Sequence, residues 1–179
     1  MSFLVRLVTI LGCIVIPHTL PAAEDEGVGP FGLVLGQSSP SVLADRFPSA
    51  SHRGISTWTR GALYQVPGSE LPLQGAKHAV FVFDLDEQLD AAFITIEKRR
   101  FHEVMRLLDG QYRRLSASVP HVGNRHVKWE ADDIVIELDA PHLSFEMELQ
   151  YQTKQFLEQF ERGQAEQREQ QRQREAEQL

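Results

Sequence analysis

Residues 79–96, AVFVFDLDEQLDAAFITI, constrain this chain more than any other stretch. Val80, Phe81, Val82 and Phe83 are β-branched or aromatic, side chains that suit a pleated, half-buried surface. Asp84, Asp86, Glu87 and Gln88 break the run and read as a turn, after which Phe93, Ile94 and Ile96 resume it. Short apolar runs bounded by turn residues fit strands better than helices. A two-stranded hairpin alone is marginal in water. The rest of the chain must therefore extend this hairpin or cover it.

Several segments read as that extension. Residues 55–60, with Trp58, and residues 62–66 are candidate strands, with a loop at 48–54 and a Pro67-Gly68 turn. Ser39 is placed to cap a short helix that has Pro40 in its first turn, Val42, Leu43, Arg46 and Phe47 along one edge, and Pro48 beyond its end. Residues 99–115 form the clearest helix. Phe101, Val104, Met105, Leu107, Leu108 and Tyr112 recur at helical spacing, while Arg100, Glu103, Arg106, Asp109 and Arg113 take the other face. Gly110 inside it costs about 1 kcal/mol relative to Ala. After a loop at 116–125 come strands at 126–130, with Trp129, at 134–138 and at 143–151. In the last, Leu143, Phe145, Met147, Leu149 and Tyr151 alternate with Ser144, Glu146, Glu148 and Gln150, the signature of a sheet wet on one side. The expectation is an α+β fold: an antiparallel sheet of six or seven strands with one main amphipathic helix on one face. Each half of the chain reads as a helix followed by strands, loosely alike, with no residue-by-residue alignment.

The two ends differ from this middle. Residues 1–23 carry Arg6, an apolar run at 7–16, Pro17 and the small residues Ala22 and Ala23, the order of a secretory signal cut near Ala22 or Ala23. The run is short for a permanent membrane span. Cys13 is the only cysteine, and Gly12-Cys13 opens a lipoprotein alternative, although Ile14, Val15 and Ile16 are apolar where such a leader turns polar. A chain cut after the leader has no thiol and folds without a disulfide. Residues 24–30 read as a mobile polar arm and 31–160 as one domain. In 161–179, RGQAEQREQQRQREAEQ and its flanks, apolar residues nearly vanish among good helix formers, and no a/d seam supports a coiled coil. That tail reads as a polar helical extension, a solvated one or an arm for a partner.

Charge and motifs exclude more than they assign. Removing Arg6 with the leader leaves 17 of the 18 basic residues against 25 acidic ones, a net of −8. Such a chain is a poor ligand for nucleic acid or an anionic membrane surface. Membrane contact is then left to the leader, uncut or lipidated. Asp84, Asp86 and Asp90 have the carboxylate density of a hard-cation site but lack the glycine and distal Glu of a calcium loop, and read as a solvated turn. The helix arginines read as a solvated face. Of His52, His78, His102, His121, His126 and His142, His121 and His126 are five apart across a loop, not on one helical face. No HExxH, CxxC, P-loop or GxSxG motif occurs, Ser118 near His121 sits in the loop, and Asp132-Asp133 would point apart. Trp58 and Trp129 read as packing residues. No catalytic, cofactor-binding or metal-binding residue is assigned, and no cofactor is implied.

Phe31-Gly32-Leu33-Val34-Leu35-Gly36-Gln37-Ser38, followed by the short helix that ends near Phe47, resembles the opening of the small lipoprotein of the outer-membrane β-barrel assembly machinery. The resemblance covers residues 31–47 and implies a small exported helix-on-sheet protein. The leading expectation is a non-catalytic periplasmic or secreted protein that binds another envelope protein. The alternatives are a small-molecule or lipid-binding domain with a pocket between sheet and helix, and a hydrolase with a site assembled from distant segments.

Overall fold

A computed structural model describes residues 27–177. The leader, Cys13, the cleavage region and residues 24–26 of the expected arm lie outside the described residues. Residues 27–30 do not hang free: Leu35 N donates to Val28 O at 3.0 Å, and Pro30 is buried.

In chain order the elements are α1 (Pro40–Arg46), β1 (Ser51–Ile55), β2 (Ala62–Pro67), β3 (Ala76–Phe83), β4 (Leu89–Glu97), α2 (Phe101–Asp109), β5 (Arg113–Ser118), β6 (Arg125–Ala131), β7 (Ile134–Ala140), β8 (Glu146–Thr153) and α3 (Lys154–Glu177). The strands form one antiparallel sheet in the order β1-β2-β3-β4-β8-β7-β6-β5. The fold is therefore α+β, with eight strands instead of six or seven. Each half is a helix followed by a four-stranded meander, and the halves join where β4 pairs with β8. No described helix is long and apolar enough to cross a membrane.

The central hairpin is β3 and β4, with Val80 opposite Phe93 and Phe81 opposite Ala92. Its turn is closed by Asp84, whose Oδ1 accepts from Asp86 N at 2.9 Å and Gln88 N at 2.8 Å, while Glu87 takes a left-handed φ of 59°. The carboxylate thus serves the turn itself. Gly61 lies against the same turn: a Cβ there would stand 2.2 Å from Phe83 O.

Side-chain alternation splits the sheet into two unlike faces. Phe81, Ile94, Trp129, Ile136, Leu138 and Leu149 point to one face, where Leu43 and Phe47 of the α1 end and Phe101, Val104 and Leu108 of α2 cover them in one core. Each large side chain buried there contributes roughly 1.5–3 kcal/mol. Among the described residues, the opposite face meets the start of α3 and the turn that carries Trp58. There Val82, Ala91 and Phe156 form a second small cluster, joined by Leu63, Phe93 and Phe160.

Several expectations are corrected. The main helix ends at Asp109, with Gly110 as its C-cap and not an interior defect, and residues from Arg113 turn into β5. The loop expected at 48–54 contains β1, while Trp58 sits in the turn after it and packs edge-on against Phe160 at 5.0 Å. The strand expected from Leu143 begins at Glu146, and Leu143 and Phe145 are 92% and 94% exposed. Lys98 N donates to Phe145 O at 2.9 Å and Lys98 Nζ to His142 O at 3.0 Å, holding that loop off the ladder. The meander after α2 has four strands where three were expected, because β5 falls on residues read as the helix end, 113–115, and as loop, 116–118. Ser39 precedes α1 as expected, but its hydroxyl meets Ser41 Oγ at 2.7 Å and caps no backbone N–H. Trp129 is buried as a core strand residue.

Candidate functional site

The uncovered face of the sheet gathers the polar chemistry. Antiparallel pairing sets residues of different strands side by side, so the register reads out as transverse rows. One row runs His78, Thr95, Glu148, Asp139, His126, Ser118 from β3 to β5. The next runs Val80, Phe93, Gln150, Glu137, Lys128, Ser116. On β3 and β4 this surface is apolar around Val80, Val82 and Phe93, where it lies under α3, and polar at His78, Thr95 and Glu97; the β8–β5 end is polar and open.

Hydrogen bonds order the polar end. Gln152 Nε2 donates to Gln150 Oε1 at 3.0 Å, and Gln150 Nε2 to Glu148 Oε2 at 2.9 Å, a ladder along β8. Thr95 Oγ1 meets His78 Nε2 at 3.3 Å, His126 Nδ1 meets Asp139 Oδ1 at 2.6 Å, and Lys128 Nζ lies 2.9 Å from Glu137 Oε1. Six carboxylates line this face: Lys77 and Arg99 pair with Glu97, Arg113 and Lys154 with Glu130, and Lys128 with Glu137, which leaves Asp139, Glu146 and Glu148 without a Lys or Arg partner among the described residues. Glu97 stands directly opposite Glu146, and Asp139 opposite Glu148. Like charges so placed are destabilising. Burial raises the Glu148 carboxyl above its usual range; the Gln150 amide offsets this in part, and the Asp139 charge adds to it.

The residues weighed from sequence distribute differently. Asp84, Asp86 and Asp90 do not converge: Asp84 closes its turn, and Asp90 turns inward to accept from the Thr153 hydroxyl. Burial raises the Asp90 carboxyl, with the Thr153 bond acting against it and the Asp84 charge adding a smaller rise. The α2 arginines are taken up within the fold. Arg100 bonds Glu103 and Gln74 O, and Arg106 Nε donates to His102 O at 3.2 Å. The carboxylate of Asp109 accepts from Arg114 Nε at 2.8 Å and from buried Trp129 Nε1 at 2.9 Å. His126 pairs with Asp139, which sequence reading did not consider, and not with His121. Ser118 is next to His126 in the row, yet no hydrogen bond joins them among the described residues, so no activated nucleophile is assembled there.

The signal that links His126, Glu137 and Asp139 is strand register. Val127, Trp129, Ile136 and Leu138 fix the buried parity of β6 and β7, which sends the residues between them to the open face. A second feature is an apolar notch of about 300 Å³ where Trp58, Val80, Phe93, Phe156 and Phe160 meet at the foot of α3. No family model, curated protein or solved structure matches this chain.

Proposed function

We propose that this is an exported envelope protein that acts without catalysis, by binding a partner protein across the open face of its sheet. The observation that carries the reading is that helices cover one face while the β8–β5 half of the other presents an acidic, register-ordered surface to solvent. Strand spacing and rise give the open half, β8 to β5, about 14 by 23 Å, or roughly 330 Å². That is less than half of the about 800 Å² that one partner contributes to an interface of ordinary size, which fits a small, transient contact. The carboxylate excess selects a partner with a basic patch, because opposed potentials speed encounter and reject wrong partners. Export rests on residues 1–23, whose basic start, apolar run and small residues have the order of a leader.

The test is site-specific photo-crosslinking in the native cells. A photoreactive residue at Gln150, on the open face, is expected to capture one protein. The same residue at Arg106, on the outer face of α2, is expected not to. Changing Glu137 and Glu148 together to Lys should abolish the adduct. Equal capture from both faces, or capture indifferent to that charge reversal, refutes the reading. The small-molecule alternative is favoured by one observation, the apolar notch, whose 300 Å³ is at the low end of ligand pockets.

A further inference from the structure

We propose that His126, Glu137 and Asp139 form a binding site for a divalent transition-metal ion of the zinc type. His126 on β6 stands directly opposite Asp139 on β7, and Glu137 is the preceding open-face residue of β7. One donor atom from each lies within 4.8 Å of the others. Bonds of about 2.0–2.1 Å in a tetrahedral site put donors roughly 3.3 Å apart. The backbones of β6 and β7 are fixed by pairing on both sides, with a bulge at Arg114/Ser116 on the β5 side, so the remaining gap has to be closed by side-chain rotation.

The donor chemistry selects the ion. One imidazole nitrogen with two carboxylate oxygens suits zinc and its neighbours, whereas calcium and magnesium favour oxygen alone. A second observation concerns charge. Asp139 stands directly opposite Glu148 of β8, and a dication beside them offsets the opposition that the His126 and Gln150 hydrogen bonds relieve in part. Three protein donors leave further positions to water, so the ion would be exchangeable.

Lys128 is the competitor. Its ammonium lies 2.9 Å from Glu137 and must withdraw for the metal to enter. Both groups are partly exposed, and such pairs are weak. The proposal therefore predicts that removing Lys128 strengthens metal binding, an effect that a surface stickiness of scattered histidines would not produce.

The experiment is a zinc titration of the tag-free chain against a chromophoric competitor. One equivalent is expected to bind with micromolar affinity. His126→Ala and Asp139→Asn should each weaken it by about 10- to 100-fold or more. Lys128→Ala should tighten it about 2- to 5-fold. His78→Ala, on the same face but three strands from Asp139, should leave it unchanged. Proton NMR of the imidazole signals is a second readout that needs no variant: the His126 ring should shift at stoichiometric zinc before the other histidines. The proposal is overturned if His126→Ala binds zinc as the parent does, or if His126 shifts only together with the rest. Because the titration uses the chain alone, its failure leaves the partner reading untouched.

Discussion

Phe156→Ala tests how the long C-terminal helix is fastened. Phe156 is 3% exposed and lies between Phe93, 5.9 Å away, and Phe160, 6.1 Å away. Phe-to-Ala changes in cores cost about 3–5 kcal/mol. This site belongs at the lower end, about 3 kcal/mol, because it borders a notch open to water that fills or collapses once the ring is gone. What then holds the start of α3 is a cap, Phe156 N donating to Thr153 Oγ1 at 3.0 Å, worth about 1 kcal/mol, together with Lys154, whose N donates to Asp133 O at 2.9 Å and whose partly exposed ammonium lies 3.2 Å from Glu130. The edge-to-face contact of Trp58 with Phe160 adds about the same. Beyond Phe160 the helix is polar on all sides and has little stability of its own. The loss should therefore appear as local undocking, with the docked-to-undocked ratio falling about 150-fold. Hydrogen exchange read by mass spectrometry is the assay. Amides in the first two turns of α3 should lose protection by that factor, those of β4 and β7 should keep theirs, and Trp58 emission should shift to the red. If protection in β4 falls in step with α3, the helix and sheet are one cooperative unit and the reasoning fails. An unmoved Trp58 emission would refute it equally.

Two further outcomes follow from buried features of the sheet. Gly61→Ala forces a Cβ to within 2.2 Å of Phe83 O and 2.3 Å of Asp84 O, both backbone, so the hairpin end must move; a loss of about 3 kcal/mol or more is expected in urea unfolding. Asp90→Asn should stabilise the protein at pH 7. The folded-state value of Asp90 is raised, so the unfolded chain releases its proton first, and the stability present below the ordinary carboxylate range is lost as pH rises through the folded value. Asn keeps the acceptor for the Thr153 hydroxyl without the charge. Urea midpoints of variant and parent should differ most at pH 7 and converge near pH 3; a constant difference would show that charge burial is not the cause.

The interior of the sheet was legible because burial writes itself as alternation. β3, β4, β7 and the second half of β8 each send apolar side chains to the core at every other position; short apolar runs between turn residues marked the first three, and alternation marked the last. The two outer strands were missed for the opposite reason. In β5, Arg113 to Ser118 are all exposed, and β1 is almost so. Charged, polar edge strands resist pairing with other chains, and that same polarity removes the pattern by which they would be found. The main helix was overextended because Tyr112 keeps helical spacing from Leu108, yet it packs beside Tyr151 from the turn into β5. At the other end of the sheet, Leu143 and Phe145 keep the alternation of β8 while standing outside it. The candidate site was illegible for a geometric reason. Helical and loop spacing reveal partners close in sequence, whereas His126 reaches Asp139 only through the β6–β7 register. Until that pairing is known, thirteen positions separate two residues with no evident relation.

The junction of β4 with β8 has a consequence for how molecules of this chain meet while they fold. Within each meander neighbouring strands find one another over short loops, but Ala91 and Gln152, across the junction, are 61 positions apart. Closing that span carries the larger entropic cost and comes late. Until it closes, both halves expose a central strand bearing unpaired N–H and C=O groups beside Ala92, Ile94, Met147 and Leu149. A half from a second copy satisfies those groups as well as the native one does. Refolding at high protein concentration should therefore yield exchanged dimers, and dilution should suppress them.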